Sequence, residues 1–298
     1  MSVGAAVSAR AARLAALALV FNAFVWGVSW WPFRQLEAAG LHALWATALI
    51  YSLAVVAISL ARPLAWPELL SHPRLWWLVL ASGTTNAAFN WAVTLGDVVR
   101  VVLLFYLMPL WAVLLARWLL HEPLRRSAML RVALALTGAL VILWPPGGGL
   151  PLPRNLAAAL GLLGGFAFAL NNVLLRREAA RSDGARALAM FVGGALVAGL
   201  LATLLSPGTV PPLPAPASGW VAGAVVLAAF FLAANLALQY GATRLPANAT
   251  AVIMLTEVLF ASASALALGA GMLDVRLALG GAAIVGAALL AARQHATA

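Results

Sequence analysis

The chain has 298 residues, 64% of them hydrophobic and 9% charged, with a mean hydropathy of +1.01. A soluble domain carries roughly 25% charged residues, so most of this chain does not meet water, and no length is left over for a soluble catalytic domain. Cysteine and lysine are both absent and all 18 basic residues are arginine, which removes disulfides, thiolate metal sites and the lysine that an ATP-binding P-loop requires.

A helix needs roughly 20 apolar residues to cross a ~30 Å hydrocarbon core. Apolar runs read against polar joints predict ten spans over 14–34, 41–61, 75–96, 101–121, 128–144, 155–175, 186–206, 219–243, 247–271 and 276–293. The joints carry breaker chemistry: Arg62-Pro63 to Pro73, Glu122-Pro123, Pro145-Pro146-Gly147-Gly148-Gly149, and Pro207 through Pro216. The first span follows Arg10 and Arg13 as a signal peptide would. Its end is aromatic (Trp26, Trp30, Trp31) and lacks a small-residue cleavage site, so a retained helix is expected.

Cytoplasmic joints collect arginine. With the N-terminus inside, 14 arginines fall on inner joints and termini and 4 on outer ones. The expectation is a multi-pass protein of the bacterial inner membrane with both termini cytoplasmic. The +10 charge is then a topology signal, and no nucleic-acid partner is needed to explain it.

The stretch Asn86-Ala-Ala-Phe-Asn90-Trp91-Ala-Val-Thr94 resembles Asn235-Leu-Ala-Leu-Gln239-Tyr240-Gly-Ala-Thr243 at a spacing of 149, which also lays 107–112 over 256–261. Residues 26–34 lie loosely over 168–176. The chain reads as two repeats, 14–144 and 155–293, of five helices each. Five is odd, so the second repeat enters the membrane from the opposite side. Inverted repeats suit alternating access around a site near the midplane.

Leu103-Leu-Phe-Tyr106-Leu-Met-Pro109-Leu-Trp-Ala-Val-Leu-Leu-Ala-Arg-Trp-Leu-Leu-His-Glu122-Pro123, the Thr137-Gly138 helix that follows, Trp26-Gly27, and Thr256-Glu257-Val-Leu-Phe-Ala261 resemble the drug/metabolite transporter superfamily. The likeness is to its ten-helix exporters with two EamA-type repeats. Tyr106-Leu-Met-Pro109 is most similar to the aromatic amino-acid exporters of the YddG type, which implies an amino-acid substrate. The chain departs from the pattern at Val258, where a proline is common, and at Gly269-Ala-Gly271, where an acidic end is expected.

Polar groups inside a bilayer are costly and mark pathways. Glu257 sits about ten residues, or roughly 15 Å, into span nine, with no arginine or histidine nearby in sequence. A carboxyl at that depth is cheaper neutral, so it can exchange a proton or meet a cationic amine; a neutral carboxyl bonded between helices is the structural alternative. Asn86 and Asn90, and Asn235 and Gln239, are pairs four apart that each present two amides on one helical face. With Asn171 and Asn172 they can bind a zwitterion without a standing buried charge, or else hold helices together. Among these, Asn86, Asn90, Asn171 and Gln239 are the candidate cavity amides. Trp26, Tyr106 and Tyr240, with Trp91 and Trp111, are deep rings able to receive an apolar side chain or a cation. Trp66, Trp76, Trp77, Trp144 and Trp220 fall near span ends as interfacial anchors. Pro109 should kink helix four in mid-span as a hinge. Gly161/Gly165 and Gly219/Gly223 have helix-packing spacing.

The expected function is secondary export of amino acids or similar small metabolites, with small-molecule substrate, lipid bilayer and protons as partners and no cofactor. Extrusion of lipophilic cations or drugs is the alternative on the same fold. An intramembrane enzyme would need paired carboxylates, a metal cluster or a nucleophile with its base. None of these is visible, since His42, His72, His121 and His295 lie at span ends or outside. A channel would need a filter loop or deep rings of charge.

Overall fold

The computed structural model describes residues 9–119, 121, 126–144, 152–216, 219–242, 244–245, 253–254, 256–272 and 274–294. Among them the regular structure is entirely helical. In chain order the helices are α1 (Ala9–Val28), α2 (Trp30–Ala38), α3 (Ala43–Ala61), α4 (Ala65–Ser71), α5 (Leu75–Leu95), α6 (Val98–Phe105), α7 (Met108–Leu119), α8 (Arg126–Leu143), α9 (Leu156–Arg177), α10 (Asp183–Leu204), α11 (Trp220–Ala242), α12 (Thr256–Ala267) and α13 (Val275–Gln294). Side chains fix several starts by accepting orphan amides: Asp97 from Arg100, Asn155 from Ala158 and Ser182 from Ala185.

Six stretches are long and apolar enough to cross a membrane: Arg10–Ala38, Ala43–Ala61, Val98–Leu119, Leu156–Arg177, Asp183–Leu204 and Trp220–Leu238. Shorter apolar helices cover Val132–Ile142, Thr256–Ala267 and Val275–Ala287. The chain is a multi-pass membrane protein. Helix α5 is long enough at 21 residues yet is not among the six. It carries Ser82, Thr84, Thr85, Asn86, Asn90 and Thr94, and it is enclosed by α9 and α10, where polar groups meet protein in place of lipid.

Three features differ from the sequence expectation. The first span is two helices that meet at Ser29, whose hydroxyl bonds back to the Trp26 carbonyl at 2.7 Å. The joint after α3 contains the short helix α4. The fourth span is not kinked at Pro109: α6 ends at Phe105, a turn spans Tyr106 and Leu107, and Pro109 is the second residue of α7. A proline has no N–H to donate, and the first turn of a helix is where that loss costs nothing. The Glu122-Pro123 and 145–149 joints and the first residues of span nine lie outside the described residues.

Lipid tails are as apolar as leucine, so helices associate by close van der Waals contact between small residues rather than by a hydrophobic drive. Helix α5 meets α10 at Gly83 and Gly193, where a Cβ on either would run into backbone of the other helix, Gly193 carbonyl and Val79 carbonyl respectively. Helices α8 and α13 pair through Gly138 and Gly280; a Cβ on Gly280 would lie 2.7 Å from the Gly138 carbonyl. Of the glycine pairs expected to pack, Gly161 and Gly165 do so against α6, while Gly219 has a φ of +83° and nothing within 4 Å of its would-be Cβ. Among the expected anchors, Trp76, Trp77 and Trp144 are exposed, but Trp220 is buried and Trp66 donates to Ser59 at 2.8 Å.

At one end of the bundle α4 is tied to the α9–α10 joint. Ser182 donates to the Glu68 carboxylate from its amide at 3.0 Å and from its hydroxyl. Arg181 donates to His72 Nε2 at 2.7 Å. The Ser182 bonds hold the Glu68 carboxyl below its ordinary range.

Two outcomes follow from this packing. Gly193→Ala lowers the thermal midpoint by the equivalent of about 1–3 kcal/mol. Gly199→Ala, on the same helix with its nearest neighbour 3.6 Å from the new Cβ, leaves it unchanged; thermal unfolding in detergent reads both. For Glu68 the lowered folded-state value means its contribution is present above the ordinary carboxylate range and is lost as pH falls through it. The stability gap between wild type and Glu68→Gln therefore narrows as pH drops below about 4, measured as thermal midpoint against pH.

Candidate functional site

The interruptions and the polar residues of the helices converge on one place. A cavity of about 140 Å³ lies in the middle of the bundle, walled by α1, α3, α5, α9, α10 and α11, by the α6–α7 turn and by Met254 and Glu257. The turn matters most. Ending α6 at Phe105 puts Tyr106 out of helical register and into the cavity wall, where its hydroxyl donates to the Glu257 carboxyl. No arginine or histidine is among the cavity residues.

The amides divide by what they already hold. Asn86 Nδ2 donates to the Ser82 carbonyl at 2.8 Å, its Oδ1 accepts from the Tyr51 hydroxyl, and the Ser82 hydroxyl donates to the Met190 carbonyl at 3.1 Å. Asn22 Nδ2 donates to the Ala234 carbonyl at 2.7 Å. Two buried acceptors on the cavity wall, Asn22 Oδ1 and Asn171 Oδ1, have no partner among the described residues. Buried acceptors are costly to leave unmade, so these oxygens, with Glu257, favour a donor-bearing guest. Much of the rest of the wall is aromatic: Trp26 stacks on Phe231 with centroids 4.4 Å apart, and Phe89, Phe105, Phe168 and Phe191 stand beside Met108, Met190, Leu238 and Met254.

Of the residues singled out in the sequence, Trp26, Asn86, Tyr106, Asn171, Asn235 and Glu257 meet at this cavity. Asn90 does not. It is wholly buried and donates to Thr47 at 3.0 Å between α5 and α3, because one further turn carries it away from the cavity level. Tyr240 does not either; its ring lies 3.8 Å under the Arg244 guanidinium, near the end of α11. Asn172 points outward and is exposed, Trp91 packs edge-on to His42, and Trp111 packs edge-on to Phe166. The side chains of Gln239 and Pro109 lie outside what the structure describes.

Sequence reasoning missed Asn22, Tyr51 and the phenylalanines. Asn22 was visible as a partner to Trp26 at helical spacing of four. Tyr51 was visible as one of three tyrosines in the chain, placed in mid-span. The phenylalanines carried no signal beyond hydrophobicity. A further regularity does appear in the wall: Asn86 and Asn235, Phe89 and Leu238, Phe105 and Met254, and Met108 and Glu257 all line it, and each pair is 149 residues apart.

The cavity is sealed toward the end that carries Asp97. Arg34 Nε donates to the Val93 carbonyl at 2.9 Å and its Nη2 to Gly96. Asp97 caps α6 and also accepts from the Met272 amide at 2.7 Å, while the Val98 amide donates to Ala270 at 3.2 Å. Trp30 Nε1 donates to Ser264 at 2.9 Å. Among the described residues no group of three histidine, aspartate or glutamate side chains is placed to hold a metal.

No curated protein matches the chain. Among solved structures 15 chains match; one crystal structure of a protein is 19% identical, with a TM-score of 0.53 over 94% of this chain and 98% of its own. That likeness speaks for the fold alone. Residues 13–144, the first half of the chain, are similar to the model of the EamA-like transporter family.

Proposed function

We propose that the protein is a secondary transporter that exports amino acids or similar small metabolites across the bacterial inner membrane by alternating access. In this reading the ten spans form two inverted five-helix halves, 14–144 and 155–293, with both termini cytoplasmic. The four wall pairs at a spacing of 149 support the repeat, as does the packing of α3 on α10 and α8 on α13, where each helix meets its counterpart. The excess of arginine on one set of joints supports the orientation.

The observation that carries the proposal is the mid-bundle cavity, with Glu257 held by Tyr106, two amide oxygens that have no partner among the described residues, and a wall rich in rings. An amine finds acceptors there and an apolar or aromatic side chain finds stacking surface. Its 140 Å³ lies below the roughly 300–1,000 Å³ of pockets for drug-sized ligands, which favours a small metabolite. Extrusion of lipophilic cations is the second reading, favoured by one observation. The wall's donors at Tyr51, Ser82, Thr85 and Asn86 are all bonded within the protein, so a substrate carboxylate has fewer partners than an amine. Glu257 serves either reading as the group that releases a proton when a cationic amine binds. No enzymatic role is proposed.

Flux of labelled amino acids into proteoliposomes, with neutral amino acids set against quaternary amines as competitors, separates the two readings. Competition by the quaternary amines alone overturns the amino-acid proposal. Removing a charge-assisted hydrogen bond costs about 1.5–3 kcal/mol, so Glu257→Gln slows flux roughly ten- to a hundredfold and flattens its dependence on an imposed pH gradient. Asn171→Leu removes an acceptor that has no partner among the described residues. The thermal midpoint is therefore unchanged or higher while flux falls; a fall in both marks Asn171 as structural.

A further inference from the structure

A second space, of about 910 Å³, opens between α3 and α11 at the end of the bundle opposite the Arg34 and Asp97 seal. Ala57 and Ile58 of α3 face Leu232, Asn235 and Leu236 of α11 across it, and its mouth carries Arg62, Glu68, Ser182 and Asp183. Charges of both signs at the mouth make it an aqueous opening and not a lipid cleft. Among the described residues Asn235 is common to the walls of this vestibule and of the central cavity.

The same turn is closed in the other half of the molecule. Leu232 and Asn235 stand 149 residues after Gly83 and Asn86. On α5 that turn is pressed against α10, Gly83 on Gly193, with Ser82 bonded to the Met190 carbonyl. On α11 it stands away from α3 and bounds the vestibule. The two halves hold one device in two positions.

We infer that the vestibule between α3 and α11 is the aqueous route into the cavity in this conformation and that Asn235 is its throat, the first amide a substrate meets before Glu257. This rests on the transporter reading for its purpose but not for its test. The chain has no cysteine, so a single introduced thiol reports alone. In Asn235→Cys, a charged methanethiosulfonate applied from the Glu68 side reacts at least about ten times faster than from the opposite side, the ratio of a ten-to-one population of this conformation. Arg74→Cys identifies the Glu68 side and lipid-facing Leu266→Cys gives the unreactive baseline. A bulky Asn235→Trp slows labelling of Asn171→Cys from that side by about the same factor. Absent labelling of Asn235→Cys in protein that elutes as a folded species, or faster labelling from the Asp97 side, overturns the route. Unchanged labelling of Asn171→Cys behind Asn235→Trp overturns the throat. One-sided labelling in a protein that moves no amino acid leaves the route standing and removes the amino-acid reading.

Discussion

A carboxyl group within hydrocarbon costs about 2.5–3.5 kcal/mol on insertion scales, and this chain keeps one at Glu257. Tyr106 accepts responsibility for it, and the geometry that lets Tyr106 reach is a break in a helix. A continuous span through 98–119 would hold residue 106 in regular register; ending α6 at Phe105 and restarting at Met108 turns the tyrosine inward. Pro109 makes the restart inexpensive because its missing N–H falls within the first turn of α7, where no intrahelical acceptor awaits it. The position of Glu257, the break, the tyrosine and the proline are thus one arrangement.

The same constraint explains why α5 is long but only moderately apolar. Thr85, Asn86 and Thr94 donate to carbonyls of α5 itself, Ser82 donates to Met190 on α10, and Asn86 and Asn90 meet Tyr51 and Thr47 on α3, while α9 and α10 shield the helix from lipid. Enclosure that close requires glycine at the crossing, as Gly83 and Gly193 show. Polar content, small residues and central position therefore belong together: each is tolerable in lipid only because of the other two. Where α8 and α13 pair, glycines recur at the crossing with fewer polar residues beside them.

Much of this was legible in the sequence because lipid imposes so few solutions. Apolar runs placed α3, α5, α9, α10 and α11 within a few residues, and the rarity of polar groups in the apolar runs singled out Asn86, Asn171 and, on α12, Glu257. What hydropathy does not encode is rotation about the helix axis. Asn90 lies one turn from Asn86 and was grouped with it, yet that turn puts it against Thr47 rather than the cavity. Tyr240 was grouped with the deep rings, but α11 carries it toward Arg244. The aromatic half of the wall was invisible for the opposite reason, since a phenylalanine facing a cavity and one facing lipid read alike. The breaks at Ser29 and Tyr106 depend on tertiary partners, and a run of apolar residues conceals them.

The proposed repeat adds a constraint that neither half carries alone. If the halves were equivalent in conformation, Asn86 and Asn235 would have the same surroundings. Instead Asn86 is fastened to Tyr51 and Ser82 beside the close α5–α10 crossing, while Asn235 borders the space between α11 and α3. A chain with equivalent sequences at both places holds them unequally because the bundle accommodates one close crossing and one open one around a single cavity. In the proposed exchange, opening α5 from α10 would bring Asn86 to the edge of a space as Asn235 is here, on the side now sealed by Arg34 and Asp97. That seal consists largely of bonds to backbone carbonyls and amides at helix ends, at Val93, Gly96, Ala270 and Met272. Val93, Val98 and Trp30 are buried in this arrangement, so parting these ends is tolerable only if water enters to replace the partners they lose.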